Sequence, residues 1–216
     1  MGDFFNPDNA FSKVMTKIVD VVWLSILFAI SSIPIFTIGA SMCGLYYSVN
    51  KSVRHNRGYV SSEFWHGFKS NFKVATPIWL LSLLGYLIMA ADLYLTNHMM
   101  EGSAHSVLTI VFIVIIVFLV SWNLYTFPYI SRFENTRKES MSNAGRIAIA
   151  ELPWTVLILV LWGASVFVCY IFTPAIFFIP ALFTYIENHI LERRFLKYMS
   201  EEDIEAEKER NQESYN

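Results

Sequence analysis

The sequence predicts an all-α polytopic membrane protein, and three observations carry that prediction: composition, the length of the apolar runs, and where the basic residues fall. Of 216 residues, 55% are apolar, 16% aromatic and 16% charged, and the mean hydropathy is +0.43, whereas an ordinary soluble domain carries about 25% charge. Eighteen Phe, eleven Tyr and six Trp exceed what one water-soluble core of this size can cover, because such a domain still exposes roughly a quarter to a third of its surface. The surplus needs lipid. A formal charge of −2 excludes a nucleic-acid partner held by bulk positive charge. Asp3 and Asp8 precede the first apolar run, which is too long for a leader and lacks a small-x-small cleavage site, so the first helix is expected to stay as an anchor.

A spanning helix needs about 20 apolar residues. Runs of that kind stand at 74–95, 107–129, 152–172 and 175–191. The N-terminal stretch 13–54 is harder to divide, because Pro34 and Gly39 interrupt it. It makes either one span plus a surface helix, for five spans, or two helices joined by a turn at 33–39, for six. Short-loop Lys and Arg prefer the cytoplasmic side and decide for six. Two precede the first run, five lie in 51–73, four in 130–151 and five after the last run, which accounts for all sixteen. The connections 33–39, 96–106 and 173–174 hold none. A hairpin at 33–39 puts every basic residue on one face of the membrane. The expectation is therefore six helices at roughly 12–33, 37–54, 73–96, 106–129, 151–172 and 174–198, with both termini cytoplasmic. A local echo agrees: Ile35-Phe36-Thr37-Ile38-Gly39-Ala40 is similar to Ile176-Phe177-Phe178-Ile179-Pro180-Ala181, each at an outer turn before a returning helix.

The two cytoplasmic connections are long enough to hold interfacial helices. In the first, Ser61 and Ser62 can cap a helix with Phe64, Trp65, Phe68 and Phe72 on one face and Lys69 away from it, a pattern suited to the bilayer surface. In the second, Thr136 and Glu139 have capping-box spacing. Both helices either tie the spans together or present a docking face. The candidate docking residues are Phe64, Trp65, Phe68, Lys69, Phe72, Arg132, Glu134 and Asn135.

Ionisable and amide groups inside a membrane are the first functional suspects. Asp20, Asp92 and Asn123 are the candidates, with Glu187 and Asn188 next. Asp20 follows Lys17 at i, i+3, a spacing that allows an ion pair. Glu187 and Glu192 stand near Arg193 and Arg194, which reads as surface pairing. His98, Glu101 and His105 beside Asp92 have no fixed metal geometry, and Cys43 and Cys169 lie in apolar runs without a CxxC. No nucleophile, phosphate-loop, zinc or dinucleotide motif occurs. The expectation is a non-catalytic protein without cofactor or metal. Residues 1–198 make the helical domain, and 199–216 make an acidic cytoplasmic tail without a core.

Several local patterns together resemble the YesL-type family of bacterial integral membrane proteins, a domain of unknown function found mostly in Firmicutes. They are Ser32-Ile33-Pro34-Ile35-Phe36-Thr37-Ile38-Gly39, Leu45-Tyr46-Tyr47, Phe64-Trp65-His66-Gly67-Phe68-Lys69-Ser70-Asn71-Phe72-Lys73, and Phe127-Pro128-Tyr129-Ile130-Ser131-Arg132-Phe133-Glu134-Asn135-Thr136 with Asn143-Ala144. Genes of that family often neighbour those for carbohydrate-import ABC transporters and polysaccharide-degrading enzymes. The resemblance therefore implies an accessory or assembly subunit packed in the bilayer against ABC permease subunits. A self-contained small transporter or channel is the alternative.

Overall fold

The computed structural model describes residues 10–99, 102–133, 135–199, 201, 204 and 205, with side chains from residue 14 onward. Among them there are helices and no strands. Helix α1 (Ala10–Ser31) ends where Pro34 follows, since proline lacks an N–H and disfavours helical backbone at the residue before it. One tight 3-10 turn, Ile35–Thr37, reverses the chain into α2 (Ile38–Ser48), which continues with wider π-type winding through Val49–Arg54. Asn56 and Gly58 then take left-handed backbone, at φ 53° and 69°, and turn the chain into α3 (Val60–Met99).

Helix α3 corrects the expectation of a separate interfacial helix. Residues 61–72 and the following span form one continuous helix of 40 residues, about 60 Å long by helical rise and roughly twice a bilayer core. No helix breaker separates the two parts, and Pro77 lies inside the helix. Helix α4 (Ser103–Arg132) returns. Thr136 then starts α5 (Arg137–Ala150) with the expected capping box, its hydroxyl accepting from the Glu139 N–H while the Glu139 carboxylate accepts from the Thr136 N–H. A corner at Glu151 leads into α6 (Leu152–Ile171), and a second 3-10 turn, Thr173–Phe177, leads into α7 (Ile179–Tyr198). The two echoing segments thus fold alike, each as a 3-10 turn feeding a helix. Tyr46 and Glu187 occupy matching places, eight positions after Ile38 and Ile179.

Four helices, α1, α3, α4 and α6, are long and apolar enough to cross a membrane. Helix α2 occupies the centre of the bundle, with most of its residues buried. Its close packing against α3 and α4 depends on absent side chains. A methyl group on Gly44 would sit 2.8 Å from the Phe64 carbonyl oxygen, and one on Gly39 would sit 2.7 Å from Trp79 Cβ. Small residues that let helix backbones approach are the usual device of membrane interiors. Helices α4 and α6 turn broad apolar surfaces outward, including Val114, Phe118, Val160 and Phe167, as a lipid-facing surface requires.

Candidate functional site

Three carboxylates of the last third of the chain organise the interior, each differently. Glu192 on α7 is buried and fully engaged. Its Oε1 accepts from Tyr46 Oη at 3.1 Å and from Asn50 Nδ2 at 2.8 Å, and its Oε2 pairs with Arg132 Nε at 3.1 Å. Those partners come from α2, its π-wound extension and α4, so one carboxylate fastens three segments. One turn earlier, Asn188 Oδ1 accepts from Arg54 at 3.0 Å. Glu151, at the corner between α5 and α6, binds the end of α7 through Lys197 at 2.7 Å, Tyr198 Oη at 3.0 Å and Arg194 at 3.4 Å. The Lys197 ammonium holds the Glu151 carboxyl below its ordinary value; burial opposes that shift and the Tyr198 hydroxyl adds to it.

Glu187 is the exception. It is 5% exposed, and its Oε1 has no hydrogen-bond partner among the described residues. It lines a cavity of about 290 Å³ enclosed mainly by α2, α4, α6 and α7, together with Tyr46, Asn123, Trp162, Cys169 and Thr184. The rest of the lining is largely aliphatic and aromatic. A buried polar atom without a partner is costly, and the arginines bound to the rest of this helix and its corner serve other groups: Arg54 donates to Asn188, Arg132 pairs with Glu192 and Arg194 with Glu151.

The residues singled out in the sequence divide as follows. Asn123 is buried and satisfied, accepting from Ser82 Oγ at 2.9 Å and donating to Tyr86 Oη at 2.8 Å, so it ties α4 to α3. Asp20 is half-buried on α1, and no ion pair joins it to Lys17 among the described residues, contrary to the i, i+3 expectation. Asp92 is half-buried near the end of α3. His98 is hydrogen-bonded to the Tyr94 carbonyl and His105 to Asn97. Glu101 lies outside the described residues, and among these no three metal-ligating side chains come together.

The docking candidates do not form one surface. Phe64 is fully buried between α1 and α2, packed with Leu24, Val49 and Ala181, because the helix that carries it turns that face inward against α2. Trp65 and Lys69 are exposed, Phe68 and Phe72 half-buried. Arg132 points inward to Glu192, and Asn135 donates to Tyr129 Oη at 3.1 Å, as does Asn143. Glu134 and most of the acidic tail lie outside the described residues. Glu187 and Glu192 also depart from the expected surface pairing with Arg193 and Arg194, since both carboxylates are buried.

The aromatic and glycine pattern of α1 to α3 is the part of the chain with a known counterpart. Residues 18–93 match the family described as a protein of unknown function, DUF624. The match is consistent with the YesL-type resemblance. No curated protein and no solved structure matches the chain. The DUF624 match covers most of α1, all of α2 and most of α3, and so includes Tyr46, Phe64 and the close-packed glycines. Glu151, Glu187, Glu192 and Arg132 lie beyond it. The sequence undervalues Glu187 and Glu192, because Arg193 and Arg194 on the same helix suggest local pairing, and it gives no separate signal for Glu151. A signal was present in the run 179–191, where Glu187 and Asn188 interrupt apolar sequence well before the helix end.

Proposed function

We propose that the chain is a self-contained small membrane transporter or carrier that takes up a ligand in the cavity beside Glu187. The observation that supports this reading is the conjunction of a sizeable, mostly apolar cavity with a buried carboxylate, one oxygen of which has no hydrogen-bond partner among the described residues. The volume is near the lower end of ligand pockets, roughly 300 Å³, and intramembrane ionisable groups most often mark a substrate or ion pathway. In this reading six helices cross a bacterial plasma membrane. Helix α2 with its extension, 17 residues and about 25 Å by helical rise, makes the second crossing, and α7 makes the last. All sixteen basic residues then face the cytoplasm with both termini.

Two experiments test it. Cysteine placed at exposed Tyr59 is expected to react with an impermeant thiol reagent only in inside-out vesicles; reaction in intact cells refutes the topology. For the cavity, thermal stabilisation by a panel of alkyl amines, alkanols, alkyl carboxylates and monosaccharides is compared between the wild type and Cys169→Phe, which fills the cavity. At least one solute is expected to stabilise the wild type alone and to enter proteoliposomes. Identical responses of the two proteins across the panel refute the reading.

The accessory role beside a carbohydrate ABC importer is the second reading. It is favoured by a small-residue patch on α6, where Gly163 has open space beside it and Ala164 is exposed, a surface on which another helix can pack closely. Stoichiometric recovery of permease subunits with the tagged protein in mild detergent, lost in Gly163→Leu, is the outcome it requires. Recovery of the protein alone removes it.

A further inference from the structure

The chemistry of the cavity narrows what it can hold. Its one carboxylate, Glu187, has an oxygen without a hydrogen-bond partner among the described residues, and no arginine or lysine lines the cavity. Among the described residues no cationic side chain pairs with Glu187, so a cation from outside the chain can take that place. The same cavity is lined by five aromatic side chains: Phe28, Tyr46, Phe127, Trp162 and Phe183. The negative faces of aromatic rings attract desolvated cations, alkylammonium ions above all. A carboxylate amid aromatic side chains suits a positive head group and repels an anion.

The remaining lining fixes the other half of the ligand. Val166 and Ile176 belong to the cavity lining and are also 49% and 41% exposed. Val166 on α6 and Ile176 in the 3-10 turn thus put an apolar outer flank of the bundle beside the cavity. A ligand reaching that flank carries hydrocarbon. A cavity of about 150 Å³ accepts benzene, so about 290 Å³ has room for roughly twice as many heavy atoms, enough for a short single-chain amphiphile and too small for the body of a two-chain lipid.

We propose that this cavity binds a single-chain alkylammonium ion, its cationic head paired with Glu187 among the aromatic side chains and its hydrocarbon chain lying toward Val166 and Ile176. The proposal rests on the cavity being a ligand site and adds the charge and shape of the ligand.

The test uses the full-length protein in nanodiscs with three matched probes: octyltrimethylammonium, 1-octanol and octanoate. Binding is read by calorimetry and by protection of the Cys169 thiol, a residue of the lining, from a small maleimide. The wild type is expected to prefer octyltrimethylammonium by about tenfold over either other probe. Glu187→Gln keeps the side-chain shape, and is expected to lose that preference while still binding 1-octanol. Equal binding of the three probes by the wild type, or an unchanged preference in Glu187→Gln, overturns the assignment of a cation while leaving the cavity as a ligand site. Binding of all three probes unchanged in Cys169→Phe overturns the cavity itself. Thiol protection in the wild type needs no variant, so the three-probe comparison decides the question even where a substitution impairs folding.

Discussion

Removing the Glu192 carboxylate is the perturbation that most directly tests how this bundle is held. Glu192 accepts from Tyr46, Asn50 and Arg132, on two helices and an extension other than its own, at 2.8 to 3.1 Å. Two estimates of its worth differ. Hydrogen bonds between membrane helices average about 0.6 kcal/mol each, so three bonds amount to roughly 2 kcal/mol. Breaking a buried ion pair by deleting one partner costs about 3–5 kcal/mol, because the remaining charge stays desolvated. The Arg132 side chain is 17% exposed and that of Glu192 6%, so the second estimate governs, and Glu192→Ala is expected to lose about 3–5 kcal/mol. The assay is reversible unfolding in mixed micelles by added denaturing detergent, with Glu192→Ala, Arg132→Ala and the double variant forming a cycle. The double variant is expected to be less destabilised than the sum of the singles by about 1–3 kcal/mol. A Glu192→Ala cost within about 0.5 kcal/mol of zero, a range typical of surface changes, together with additive singles, refutes the claim that this carboxylate fastens α2 and α4 to α7.

Three further outcomes are expected. Gly44→Val drives side-chain atoms into the α3 backbone near Phe64, and is expected to cost about 1–3 kcal/mol through overpacking, whereas Gly163→Val, with open space around it, is expected to leave the unfolding midpoint nearly unchanged; equal effects sink the packing argument. Thr136→Ala removes the capping hydroxyl of α5 and is expected to cost about 0.5–2 kcal/mol, seen as faster amide exchange across 137–140; unaltered exchange there counts against the cap. The third concerns pH. Glu151 has a folded-state value below its ordinary 4.5, chiefly through Lys197. Its contribution is therefore complete above about pH 4.5 and disappears as pH falls through the lower folded value. Wild type and Glu151→Gln are expected to differ in thermal midpoint at neutral pH and to converge in acid, and parallel curves at all pH values contradict this.

Much of the architecture is local information. Apolar run length, Pro34 and the capping pair Thr136 and Glu139 each act within a few residues, so the ends of α1, α2, α5 and α6 are legible without the fold. The boundary inside α3 was not legible: the capping serines at 61 and 62 and the change from a mixed to an apolar pattern suggested two helices, yet no breaker stands between them and the backbone winds on. The fate of the carboxylates also depended on three dimensions. In sequence, Glu187, Glu192, Arg193 and Arg194 are neighbours on one helix. The crossing of α7 with α2 and α4 turns Glu192 toward Tyr46 and Arg132 and leaves Glu187 facing a cavity.

By itself, the sequence determined that this chain is helical and carries runs apolar enough to enter a membrane, because hydropathy and helix breaking act through each residue's own transfer free energy and backbone freedom. The tertiary structure decided which polar side chains are partnered, which glycines are contacts and which are surface, and where space remains. Those outcomes depend on the distance between helices far apart in the chain, and they alone distinguish Glu192, bound on both oxygens, from Glu187, five residues away with an oxygen left without a partner among the described residues.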